Sequence, residues 1–205
     1  KGGNFVRVLS EKDYRLFERL VSLTEKEMVR AMSQYLKDKY DKNVIITKDY
    51  IIAIGDIPIA LVAHMDTVYK TPVKNLYYDT KKGIMWSPEG LGADDRAGVF
   101  AIIKILQAGL RPTVIFTTDE ETGMYGAFAL EGGVLQGKYL LNLDSEAEGE
   151  LYVGCAGGVD TTAKFAYTPV EVEEGDVAVK VSVTGLKGGH SGCDIHLQRA
   201  NANKL

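Results

Sequence analysis

Apolar residues recur every three or four positions near the start of the chain: Tyr14, Phe17, Leu20 and Val21, then Met28, Met32, Tyr35 and Leu36. That spacing lines one face of a helix. Ser10 precedes the first set with Asp13 three residues on, and Thr24 precedes the second with Glu27, the mark of a capped N-terminus. Two helices are predicted, over 11–22 and 25–39. The period then shortens. "NVIIT", "YIIAIG" and "IPIALVA" read as strands, the last apolar almost throughout, as an interior strand covered on both faces would be. "NLYYDTKKGIMWS" predicts a hairpin turning at Lys82-Gly83. "DRAGVFAIIKILQA" predicts a helix over 95–108 that stops at Gly109. Strand "TVIF", a short helix near 124–131, strand "KYLLNL" and a strand at "ELYVG" follow. Strands alternating with helices give an α/β class, a mostly parallel sheet sandwiched by helices.

After "GCAGG" the texture changes. "VDTTAKFAYT" and "DVAVKVSVTGL" alternate apolar and polar residues, as antiparallel strands with one wet face do. "GGHSGCDIHLQRANANKL" reads as a glycine-rich loop entering a helix. A boundary near Gly157 is expected, separating a first domain (1–156) from the start of a smaller α+β domain (157–205). The chain opens on Lys1 rather than Met and closes on "RANANKL" inside that last helix, which reads as a piece of a longer protein.

Composition narrows the chemistry. Apolar residues are 45% and charged residues 25% of 205, the profile of a soluble globular protein. A net charge of -4 with interspersed signs offers no basic face for nucleic acid. No apolar run approaches bilayer-spanning length, and no signal-peptide pattern is visible, so no membrane partner is expected. The two cysteines, Cys155 and Cys193, lack metal-type spacing and fit a reducing cytoplasm.

The acids are placed unusually. "IALVA" runs into His64 and Asp66, "TVIF" into Asp119, Glu120 and Glu121, and "YLLNL" into Asp144 and Glu146. "GLGADD" delivers Asp94 and Asp95 to a helix start. Each cluster alone reads as a solvated loop or a capped helix. Together they fall at the strand C-terminal ends, where open α/β sheets build their sites. Carboxylates gathered there raise one another's pKa unless cations neutralise them. One histidine with several acids suits Zn²⁺, with Mn²⁺ or Co²⁺ as alternatives, and so many acids suggest two ions sharing a bridging carboxylate.

"HMDTV", "GADDRAG", "TTDEETG" and "NLDSE" resemble, in order, the metal motifs of the co-catalytic di-zinc peptidase family, which includes peptidase T, the glutamate carboxypeptidases and aminoacyl-histidine dipeptidase. From "GMYGAFALEGG" to "LKGGHSGCDIHLQRANANKL" the chain is similar to the aminoacyl-histidine (Xaa-His) dipeptidase branch, while "HMDTV" and "GADDRAG" read more like peptidase T. The resemblance implies that His64 and Asp144 hold one metal and Glu121 the other, that Asp94 bridges them, and that Asp94–Asp95 is a cis peptide. Asp66 would orient the His64 imidazole. Glu120 would be the general base, taking a proton from a metal-bridging water that attacks the peptide carbonyl and passing it to the leaving amine. "GGHSG" resembles the family's lid motif, where His190 would bind substrate or stabilise the oxyanion. No role follows for Asp119, and His196 in the following helix reads as structural.

The implied activity is metal-dependent hydrolysis of short peptides, with Xaa-His dipeptides favoured. A tripeptide aminopeptidase of the peptidase T kind and a catalytically incomplete metal- or peptide-binding protein are the alternatives. The implied cofactors are two divalent ions, zinc foremost; the implied partners are a short peptide and a second copy paired through the lid. One departure stands out. The family's second metal takes a further histidine from the returning half of the catalytic domain, but besides His64 this chain has only His190 and His196, both in lid motifs. One metal is then left with three protein ligands (His64, Asp94, Asp144) and the other with Asp94 and Glu121, so the lone chain is expected to be incomplete as an enzyme.

Overall fold

The computed structural model describes residues 9–135, 137–145, 147, 149–155, 157, 159, 161–189 and 194–205. The chain divides into two units, Lys1–Glu148 and Gly149–Leu205. The first opens with helices α1 (Glu11–Val21) and α2 (Glu25–Tyr40). The Ser10 side chain accepts from the Asp13 N–H, and Thr24 and Glu27 cap each other reciprocally. These bonds occupy amide groups that a helix start leaves unpaired.

Strands β1 (Val44–Ile46), β2 (Tyr50–Ala53), β3 (Ile57–His64), β6 (Pro112–Thr117) and β7 (Tyr139–Asn142) form one sheet in the order β1-β2-β6-β3-β7; β4 (Tyr77–Asp79) and β5 (Ile84–Trp86) form the expected hairpin. Helix α3 (Ala93–Gln107) connects β5 to β6, and the four-residue α4 (Tyr125–Phe128) precedes β7. The α/β architecture is the expected one, and its sheet is mixed. β3 pairs parallel with β6 and β7, while β2 pairs antiparallel with β1 and β6. The β1–β2 pair is antiparallel because its short connection leaves room for a turn but not a crossover helix, whereas β2 meets β6 through long-range register.

The sheet's two faces differ. Ile51, Ala53, Leu61, Ala63, Val114 and Phe116 point to one side, where Met28, Met32 and Leu36 of α2 and Val99, Ile102 and Leu106 of α3 cover them. The intervening residues Tyr50, Ile52, Ala60 and Ile115 face the other side, against Val62, Leu130 and Val134. Interior β6 is buried along its whole length, which explains why "PTVIFT" shows no alternation.

The second unit departs from expectation. Its described residues form no strand, and the helix expected after the glycine-rich loop is reduced to 3₁₀ turns at Ile195–Leu197 and Ala202–Lys204. The expected strand at "ELYVG" is likewise irregular over its described residues. An alternating run becomes a strand only where a layer covers its apolar side and neighbours complete its ladder. Val177, Val179 and Val181 are 80–87% exposed and have no such cover.

Candidate metal centre

Strand register builds the site. His64 pairs with Thr117 across β3–β6, and the Met65 N–H donates to Thr117 O at 2.9 Å. "HMD" and "TDEE" therefore leave the sheet side by side. Val62 pairs with Asn142 across β3–β7, and the Leu143 N–H donates to Val62 O, which sets Asp144 beside His64. Asp94 arrives from the start of α3, where Asp94 and Asp95 have non-helical backbone angles and the bond between them is cis.

His64 is the hub. Its Nε2 lies 3.0 Å from Asp94 Oδ1 and 4.0 Å from Glu120 Oε2, and its Nδ1 lies 3.3 Å from Asp66 Oδ1. The other Asp66 oxygen, Oδ2, accepts the Glu121 N–H at 3.0 Å. His64, Asp94 and Glu121 offer ligand atoms within 4.8 Å of one another, and so do His64, Glu120 and Asp144. Six of the expected residues (His64, Asp66, Asp94, Glu120, Glu121, Asp144) thus meet at one rim; His190 lies outside the described residues.

The electrostatics call for a cation. Burial alone would lower the His64 pKa, but the hydrogen bond and charge of Asp66, with Asp144 and Asp94 behind them, raise it to about 9. Burial and the neighbouring Asp94 push Asp144 up to about 6 and raise Glu121 as well. The Asp66 carboxyl goes the other way: burial would raise it, but His64 and the backbone amides of Glu121 and Glu120 hold it below the usual range. With its pKa at about 9, the metal-free imidazole carries a proton on each nitrogen at neutral pH, one facing Asp66 and one facing Asp94. A metal ion bound at Nε2 would take the place of the proton that lies between the ring and Asp94 Oδ1, 3.0 Å away. Ligands each ~2 Å from a shared zinc ion have about that separation. The donor set of one imidazole and several carboxylates suits zinc, manganese or cobalt.

Two neighbours of the centre escaped the sequence reading. Asp95 is buried, takes the Gly98 N–H on Oδ1 at 3.0 Å, and among the described residues has no partner for Oδ2. Burial and then Asp144 push its pKa up to about 7. A Cβ on Gly98 would lie 2.3 Å from Asp95 Oδ1, so only glycine admits this carboxylate. Arg96 is 2% exposed, and its Nη1 donates to Leu20 O at 2.5 Å and Leu23 O at 3.2 Å. It ties the α1–α2 turn to the helix that carries Asp94. The sequence held one clue: a cation in a helix's first turn opposes the helix dipole and needs another reason to be there.

Residues 60–197 match peptidase family M20/M25/M40. The chain belongs to this family. As an M20 chain it is 39% identical over 163 residues to the cytosol non-specific dipeptidase of Escherichia coli (strain K12), a match covering 72% of this chain and 33% of that protein. The structure of aminoacylhistidine dipeptidase from Vibrio alginolyticus superposes with a TM-score of 0.60 and 28% identity, over 98% of this chain and 46% of that one. Aminopeptidase PepT from Bacillus cereus shares the fold, with a TM-score of 0.51 and 24% identity over 68% of this chain and 44% of that one. This M20 chain spans about a third of the length of the curated relatives it matches.

Proposed function

We propose that this chain supplies the metal-binding part of a cytosolic M20 peptidase that hydrolyses short peptides, dipeptides of the Xaa-His kind among them. The observation that carries the reading is the convergence of His64 with Asp94, Glu120, Glu121 and Asp144 from three strand ends and one helix start. The dipeptide preference is supported by the relatives named for dipeptides, at 39% and 28% identity. The tripeptide alternative has a likeness of fold behind it.

In this reading His64, Asp94 and Asp144 hold one divalent ion and Asp94 with Glu121 a second. Bound ions supply positive charge that polarises the peptide carbonyl and favours loss of a proton from water. Asp66 holds the imidazole by Nδ1, leaving Nε2 free to bind. Glu120 takes the proton of the attacking water and returns it to the leaving amine. Burial of the His64–Asp66 pair keeps bulk water from competing for the ring.

The test is Glu120→Gln in the zinc-loaded whole peptidase, with its C-terminal half present. Hydrolysis of a dipeptide series should fall by about 10²-fold or more while bound zinc is unchanged, since an amide accepts no proton. Undiminished turnover would remove Glu120 as the base. Zinc binding without turnover in the whole wild-type peptidase would favour the binding-protein alternative.

A further inference from the structure

We propose that Asp119 is a positioning residue: its left-handed backbone, and not its carboxylate, aims Glu120 and Glu121 at the cation centre. This rests on the metallopeptidase reading above. Consecutive residues on an extended strand point to opposite faces. Had β6 run straight on past Thr117, one of the two glutamates would have been turned away from His64. Both instead offer an oxygen near that ring. The change of direction falls at Asp119, whose φ is 53°. Among residues other than glycine, Asp and Asn take this conformation several-fold more readily, and β-branched residues scarcely at all.

The rest of the turn is bonded into place. The Thr118 N–H donates to Asp49 O and the Gly126 N–H to Thr118 O, at 3.0 and 3.1 Å. The Tyr125 N–H reaches Asp119 O at 3.2 Å, and the Gly123 and Met124 N–H groups reach Glu120 O at 3.0 and 2.9 Å. The Glu121 N–H is held by Asp66. With both sides fixed, residue 119 must supply the reversal. Its carboxylate does little by comparison. It belongs to neither group of candidate ligands, and among the described residues its one hydrogen bond is a long contact at 3.4 Å from the Thr122 hydroxyl.

The experiment measures zinc affinity by calorimetry, without substrate, and the melting temperature of the metal-free protein, for the wild type, Asp119→Asn, Asp119→Gly and Asp119→Val. Asn and Gly should bind zinc within about threefold of the wild type, because both accept positive φ. Val should weaken binding by about 10–100-fold, the usual cost of disturbing the residues that orient ligands. Should the Val variant not fold, Asp119→Ala takes its place with the same expected sign. Losses in Asn and Gly as large as in Val would make the carboxylate the active part and overturn the proposal. A Val variant that melts lower but binds zinc normally would also overturn it, as a merely structural role. No zinc binding by the wild type would sink the metal reading itself, whereas binding with the wrong rank order sinks this proposal alone.

Discussion

Replacing Arg96 by Met tests how firmly the N-terminal helices hold the centre. Met keeps most of the side chain's apolar length and removes its charge. The guanidinium is buried, and burial depresses its pKa to about 10 against the opposing pull of Asp66 and Glu25, so it stays charged at neutral pH. The substitution leaves the Leu23 carbonyl without its Nη1 donor and the Leu20 carbonyl with only backbone donors, the Leu23 N–H at 3.4 Å among them. Hydrogen bonds to charged groups contribute about 1.5–3 kcal/mol each, and leaving a buried partner unsatisfied costs a similar amount. Asp66, 5% exposed, also loses a nearby positive charge. Against this, the guanidinium no longer needs desolvating, and its Nε, buried without a partner among the described residues, is gone. The expected balance is a loss of about 2–4 kcal/mol, a large share of the 5–15 kcal/mol that usually separates folded from unfolded states. Urea unfolding followed by far-ultraviolet circular dichroism should show the midpoint falling by about 1–2 M at unchanged slope. Arg96→Lys, which keeps a charge but not the fork, should lie between the two. A midpoint that stays put or rises would refute the reasoning and mark the bonds to the α1–α2 turn as idle.

Asp66→Asn should lower zinc affinity by about 10–100-fold with little loss of secondary structure, because the carboxylate orients the His64 ring and holds the Glu121 amide; equal affinity in a calorimetric titration would contradict this. Gly126→Ala should destabilise the fold and weaken zinc binding together, since the added Cβ would lie 2.4 Å from Thr118 O and push on the 118–126 turn; matched melting and titration curves would show the turn yields freely. Without metal, the protein should be more stable at pH 5 than at pH 9 in urea titrations. Asp95 and Asp144 have folded pKa values raised to about 7 and about 6, and His64 to about 9 from 6.5. The folded state therefore binds more protons, and stability is lost as pH rises through those values. Saturating zinc should reverse the trend by taking the place of the protons, and an unchanged pH profile on adding zinc would count against these groups as ligands.

How much of this was legible in the sequence depends on the range of the interactions involved. Caps and turns are local, so Ser10, Thr24 and Lys82-Gly83 announced α1, α2 and the β4–β5 hairpin within a residue or two. The convergence of His64, Asp94, Glu121 and Asp144 could be read because acids that end apolar strands share one rim by topology alone. The antiparallel pairing of β2 with β6 had no local signal; it comes from register across some sixty residues. The roles of Asp95 and Arg96 were hidden for the same reason, since their partners, apart from Gly98, are distant in sequence. In the second unit the alternation of Val177, Val179 and Val181 was a true pattern, but a pattern needs a covering layer before it becomes a strand.

The central claim is that His64, Asp94, Glu121 and Asp144 gather around divalent cations. Its most direct test is an anomalous difference map, at the zinc absorption edge, from crystals of the zinc-soaked protein. The account predicts a peak within about 2.0–2.2 Å of His64 Nε2 and an Asp94 carboxylate oxygen. Zinc sites found only elsewhere, or none at saturating zinc, would contradict it.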